Sequence, residues 1–126
     1  MEESHERSLE KIHEDLLEGM RDFMKDSLEE GESEDDFYYT EGDIQKCKAI
    51  LDSFLVKVRS AARGDADFVM AIVKDTVLAL NALNEACEHS LIETDQREEI
   101  CGLIIKAALS MGVGNGDDIT EEWRDW

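Results

Sequence analysis

Two of the histidines each follow a glutamate by three residues, which is a spacing that metal-binding helices use. Glu2 precedes His5 by three residues, and the same E-x-x-H spacing recurs at Glu10. In di-iron bundles this spacing places two ligands on one face of a helix, but other helices must then project carboxylates toward them. The apolar faces of the other predicted helices carry aliphatic, Cys, Thr and Asn residues and no Glu. We therefore predict no metal and no other cofactor, and we expect His5 and His13 to be exposed or at the boundary of the core.

The three cysteines are the candidate nucleophiles. A catalytic cysteine needs a nearby base and an electropositive, partly exposed setting. Cys47, Cys87 and Cys101 instead occur among aliphatic residues on predicted apolar helix faces. The sequence also contains no serine-centred elbow and no glycine-rich phosphate loop. We predict that the cysteines are small core residues and that the protein is not an enzyme.

The cysteine pattern and the apolar content also bear on location. An odd number of cysteines without a CxxC pair argues against a disulfide framework and favours a reducing compartment. Residues 1–15 alternate charges where a signal peptide needs an apolar stretch, and the longest apolar stretch is far too short for a membrane span. We expect a cytoplasmic protein that does not bind membranes.

Acidic side chains surround aromatic ones at two places in the chain. Tyr and Trp supply contact area in protein interfaces, and carboxylates attract a cationic partner. The alternative for both places is structural, with Trp123 closing an open end of the core. The candidate partner-binding residues are Glu34, Asp35, Asp36, Tyr38 and Tyr39 in the first place, and Glu121, Glu122, Asp125 and Trp126 in the second.

The charge balance limits the kinds of partner. The chain has 126 residues with 32 acids and 13 bases, a net charge of -19. Direct binding to nucleic acid or to an anionic membrane is disfavoured, because contacts with phosphate need Lys or Arg. A basic protein partner is favoured, although the same charge can also serve solubility alone. Residues 1–43 hold 17 acids and 4 bases, whereas residues 44–126 hold 15 acids and 9 bases, so we expect the strongest field at the N-terminal end.

Helical periodicity predicts the elements that position these groups. Apolar residues recur at three- and four-residue spacing through most of the chain, and no strand is required. The third predicted helix is apolar on so much of its circumference that we expect it to be central. The first two predicted elements are a helix over 4–30 and an acidic loop over 31–42. A second helix is opened by Thr40 or Asp43 and ends near Arg63 and Gly64, and a third is capped by Asp65 and runs to Cys87. A fourth helix is capped by Thr94 and ends at Gly112, and the tail after it forms one last turn capped by Asp117 or Asp118.

These elements predict an all-α fold, a single bundle of about four main helices with an acidic loop after the first helix and a short C-terminal helical turn. The length allows one core, so we expect one domain over residues 1–126. Within it, residues 1–43 form the strongly acidic helix and loop, residues 44–112 the core helices, and residues 113–126 a glycine-containing tail with terminal Trp residues.

Three phrases of the sequence carry a resemblance to known proteins. They are LNALN at Leu80–Asn84, LIETDQREEIC at Leu91–Cys101 and DITEEWRDW at Asp118–Trp126. They are similar to a family of small, acidic, helical bacterial proteins that resemble immunity proteins of toxin–immunity pairs. The resemblance covers residues 44–126 and implies an inhibitor whose acidic face covers a basic surface of a toxin domain. The alternative is a structural or assembly module whose apolar helix faces pair between subunits.

Overall fold

A computed structural model describes residues 8–29, 40–89, 91–115 and 117–126. For residues 23–29 it describes the backbone and not the side chains. The helices are α1 Leu9–Glu29, α2 Glu41–Arg59, α3 Ala66–Ala86 and α4 Thr94–Ser110. The described residues contain no strand. The predicted all-α fold with four main helices is therefore confirmed.

Side-chain caps begin the second and third helices where the sequence predicts them. The backbone N–H of Thr40 donates to Oδ2 of Asp43 at 3.0 Å, which closes a capping box at the start of α2. Oδ1 of Asp65 accepts a hydrogen bond from the backbone N–H of Phe68 at 3.2 Å. The predicted cap of α4 is displaced by one residue, because Glu93 occupies the cap position and Thr94 is the first helical residue.

The predicted end of α2 is wrong, and the residues assigned to it cap a different helix. α2 ends at Arg59, four residues before Arg63. The guanidinium of Arg63 donates to the carbonyl of Ser110 at 2.9 Å, and the N–H of Gly64 donates to the carbonyl of Met111 at 2.6 Å. The Arg63 guanidinium and the Gly64 N–H thus donate to carbonyls at the C-terminus of α4. The last carbonyls of a helix lack partners within the helix and form the negative end of its dipole.

The helices pack in the order α3, α2, α1, α4. α2 lies against α3 and α1, and α1 lies against α4. The largest fully buried side chains include Phe54 and Leu51 of α2 and Leu103 of α4. These are the two helices that pack against α1. Within the described ranges, no helix is both long enough and apolar enough to cross a bilayer.

The prediction that the third helix is central is wrong. α3 packs mainly against α2 at the side of the bundle, and Phe68 and Leu78 remain 44% and 43% exposed. Periodicity marks the faces of a helix that are apolar, but it does not show whether the same chain covers all of them.

Candidate binding surface

The last residues of the chain form one hydrogen-bonded turn, which we call the C-terminal turn and define as residues 117–126. The backbone N–H groups of Trp123 and Arg124 both donate to the carbonyl of Thr120, at 3.2 and 3.1 Å. Oδ1 of Asp118 accepts from the N–H of Thr120 at 2.9 Å and so caps the turn. The turn and one of its two candidate caps are as predicted.

Two helices hold the C-terminal turn in place. The side-chain amide of Asn81 in α3 donates to the carbonyl of Trp123 at 2.7 Å and accepts from the N–H of Asp125 at 3.2 Å. On the other side, Thr120 is fully buried, and its Oγ1 lies 3.4 Å from Sγ of Cys101 in α4. The backbones of α3 and α4 approach each other less closely than those of the other neighbouring helices, so the turn joins the two.

The single cation of the C-terminal turn is used within the turn. Arg124 donates to Oδ2 of Asp118 at 2.9 Å and to the carbonyl of Trp126 at 3.1 Å. Its guanidinium carbon also lies 5.4 Å from the centroid of the Trp126 ring, within cation–π range. Burial opposes ionisation of Asp118, but hydrogen bonds from Thr120 and Arg124 outweigh it and lower the pKa of that carboxyl. Arg124 therefore compensates Asp118 and leaves the other acids of the turn unpaired.

The four C-terminal candidate residues lie together on this turn. Glu121, Glu122 and Asp125 are exposed and form no ion pair with any other described residue. Trp126 is half-buried, as is Trp123, and both pack against the core. The carboxylates therefore form the accessible part of this surface, whereas Trp126 offers only part of its ring.

The other five candidates, Glu34, Asp35, Asp36, Tyr38 and Tyr39, lie outside the described residues. Their proposed role stays a prediction from the sequence.

Charge is distributed differently over the α1–α2 face. Residues 9–29 and 41–59 hold 10 acids and 7 bases, whereas residues 60–126 hold 14 acids and 5 bases. Arg21 donates to both carboxylate oxygens of Glu41, at 2.7 to 3.1 Å, and these bonds lower the pKa of Glu41 to about 2. A further ion pair joins Arg59 to Glu10 across the same helices. Opposite charges are thus paired at these positions of the α1–α2 face, and among the described side chains most of the acids without an ion pair lie after α2.

A second polar site is a groove of about 550 Å³ between α1 and α2. His13 lines it and is only 7% exposed, so the prediction of an exposed or boundary position for His13 is wrong. Nδ1 of His13 lies 3.4 Å from Oδ1 of Asp52, whose other oxygen accepts from Lys48 at 2.8 Å. The sequence contained the signal, because His13 follows Leu9 by four residues and precedes Leu16 by three, within the apolar stripe of the helix.

The groove histidine is not arranged for proton transfer to a substrate. A general base must present a ring nitrogen to the group that it deprotonates. Nδ1 of His13 faces Asp52, and Nε2 is buried with no hydrogen-bond partner among the described residues. Burial lowers the pKa of His13, and the carboxylate of Asp52 opposes this effect only in part.

The thiols are also poorly placed for nucleophilic chemistry. Burial raises the pKa of Cys47 to about 12 and that of Cys87 to about 11, so the thiolate is scarce at neutral pH. Cys101 is half-buried, in contrast to the predicted core position, and burial raises its pKa as well. In the part of the chain that the structure describes, no three His, Cys, Asp or Glu side chains group together as potential metal ligands.

Comparisons with protein-family models, with curated proteins and with solved structures found no match to this chain. The resemblance to immunity proteins therefore stays an expectation from the three phrases of the sequence.

The buried histidine leads to a prediction about pH. The pKa of His13 in the folded protein is below its ordinary value of 6.5. At a pH between the folded-state pKa and 6.5, His13 is therefore protonated in the unfolded chain but neutral in the folded protein. The free energy of unfolding should therefore fall as the pH drops below about 6.5, by at most about 1.4 kcal/mol per pH unit. The test is urea unfolding of the wild type and of a His13→Leu variant between neutral and mildly acidic pH. The difference between the two slopes of unfolding free energy against pH gives the contribution of the His13 proton.

A matched control is His89→Asn, because His89 is exposed and adopts a φ of 59°, which Asn tolerates well. We expect this variant to keep the pH dependence of the wild type. Equal slopes in the wild type and in His13→Leu would contradict the assignment to His13.

Proposed function

We propose that this chain is a non-enzymatic, acidic binding protein that covers a basic surface of a protein partner, in the manner of an inhibitor or immunity protein. The observation that carries the proposal is the C-terminal turn, where Glu121, Glu122 and Asp125 are exposed and unpaired on a backbone that Asn81 holds by two hydrogen bonds.

A fixed backbone matters for binding because a segment that is already ordered loses less conformational entropy when the complex forms. Exposed carboxylates of one sign also attract a cationic surface over a distance and increase the rate of association. On the α1–α2 face Glu41 is paired with Arg21 and Glu10 with Arg59, so these two acids offer less to an external cation.

The predicted acidic-aromatic stretch from Glu34 to Tyr39 belongs to the same proposal as a second contact region. We place the protein in the cytoplasm, because its three cysteines are free and a reducing compartment keeps them so.

The proposal is tested with a fluorescent hexaarginine peptide as a probe of cation binding. In the test variant, Glu121→Gln, Glu122→Gln and Asp125→Asn are combined. We expect its affinity for the peptide to fall about fivefold or more, or about 1 kcal/mol, because three exposed charge contacts each contribute a few tenths of a kcal/mol. Binding is measured by fluorescence anisotropy at about 0.15 M salt. The Debye length is then about 8 Å, so charges far from the peptide are screened and the measured affinity reports local contacts.

The control variant changes the net charge equally at exposed acids of α1, by combining Glu14→Gln, Glu18→Gln and Asp22→Asn. We expect it to bind the peptide within about twofold of the wild type. Equal losses in both triple variants would show that the acids act through net charge alone, and the assignment of a binding surface to the C-terminal turn would then be abandoned.

A further inference from the structure

His13 is a buried side chain that borders open space. Its side chain is only 9% exposed, yet it lines the groove of about 550 Å³ between α1 and α2. Nδ1 of His13 lies 3.4 Å from Oδ1 of Asp52, and Nε2 is buried with no hydrogen-bond partner among the described residues. A neutral imidazole carries a proton on only one nitrogen, so Nδ1 can direct its N–H toward Asp52 while Nε2 stays unprotonated. The observed position therefore suits the neutral ring.

The protonated ring is poorly accommodated in the same position. Both nitrogens of an imidazolium are donors, so its Nε2–H would be buried without an acceptor, which is costly for a charged group. Asp52 cannot supply a second acceptor, because it faces Nδ1 with one oxygen and accepts from Lys48 with the other at 2.8 Å. Protonation therefore favours a position in which Nε2–H reaches water or another carboxylate.

The groove between α1 and α2 provides such acceptors. The charged groups that influence His13 are Asp52 and Lys48 on α2 and Glu10 on α1. α4 also packs against α1, and the buried residues of α4 are all apolar. Carboxylates that line the groove outnumber the cations by four to three, so one imidazolium would balance the charge there. The carboxylates are those of Glu10, Glu14, Glu18 and Asp52, and the cations are Arg21, Lys48 and Arg59.

We propose that His13 acts as a pH-dependent switch, with the neutral ring buried between α1 and α2 and the imidazolium turned outward into the groove. The proton comes from the solvent at mildly acidic pH, and the ring moves by rotation about its side-chain bonds. α1 stays packed, because its buried residues Leu16, Leu17 and Met20 carry no titratable group. The switch adds a change within the folded protein to the effect of pH on unfolding. It is independent of the proposed binding of a basic partner, which concerns the C-terminal turn.

The test is an NMR titration of the full chain carrying His5→Gln and His89→Asn, so that His13 is the only histidine. Ring signals report the protonation of His13, and the methyl signals of Leu55 and Val56 report on the groove that these residues line. We expect both sets of signals to shift with one midpoint, at a pH below 6.5. The methyl signals of Val73, which is buried in α3, should stay constant over the same range. A nuclear Overhauser effect between the His13 ring and the Val56 methyls should be stronger at the acidic end.

His13→Leu in the same background is the matched control, because leucine fills the buried position and binds no proton. We expect its Leu55 and Val56 methyl signals to be independent of pH across the titration of His13. Equal shifts of these methyls in His13→Leu would overturn the proposal, as would a His13 ring that titrates while they stay constant. Loss of the folded Val73 signals at the midpoint of His13 would also overturn it, since protonation would then accompany unfolding of the whole protein.

Discussion

Removal of residues 117–126 is expected to lower the free energy of unfolding by about 3 kcal/mol or more, which is the cost of losing one large aromatic side chain from a core. The segment contributes Trp123, Trp126 and Ile119 to the packing around the core, together with the fully buried Thr120. Its removal also leaves the amide of Asn81 without its two partners and opens the space between α3 and α4. Urea or guanidinium unfolding of the full and the shortened chain measures the difference, and the m-value reports any loss of buried surface.

The control for this experiment is the triple variant that neutralises Glu121, Glu122 and Asp125. These side chains are exposed and unpaired among the described residues, so their neutralisation should leave stability unchanged within about 0.5 kcal/mol or raise it slightly by reducing repulsion. A shortened chain with the unfolding midpoint of the full chain would show that the turn adds nothing to the fold. The rigid display of its carboxylates would then lose its structural basis.

Replacement of Asn84 by alanine is expected to cost about 2 to 3 kcal/mol, because it leaves a buried donor without an acceptor. Asn84 is 1% exposed, and its Oδ1 accepts a hydrogen bond from the backbone N–H of Ile92 at 2.9 Å. The connection between α3 and α4 passes through left-handed conformations at Glu88 and His89, and the carbonyl of Asn84 accepts from the N–H of His89 at 2.7 Å. The side chain thus fixes the end of a turn that leads directly into buried residues.

Thermal or urea unfolding of Asn84→Ala measures this cost, with Asn115→Ala as the control. Asn115 is exposed, and its side chain accepts a hydrogen bond from the N–H of Asp117, two residues ahead in the tail. We expect the control to change the free energy of unfolding by less than about 1 kcal/mol. If both alanine variants unfold alike, the buried amide of Asn84 has no special part in joining α3 to α4.

Much of the fold follows from interactions that are local in the chain. The helix faces arise from apolar residues three and four positions apart, and the caps at Thr40 and Asp65 bond to residues three positions ahead. The grouping of Glu121, Glu122, Asp125 and Trp126 is equally local, since one turn brings them together. Each of these features was predictable because the interacting residues are neighbours in the sequence.

Other features depend on how the helices pack, and the sequence by itself left them open. Arg63 caps α4 through a carbonyl 47 residues away, and Asn81 holds the C-terminal turn across 42 residues. The burial of His13 against Asp52 depends on the position of α2 beside α1, and the exposure of Phe68 and Leu78 depends on α3 lying at the side of the bundle. The sequence determined the helices, their apolar faces and the acidity. Among the described residues, the tertiary structure decided which apolar side chains are exposed and which acids have partners, because both depend on distances between residues that are far apart in the chain.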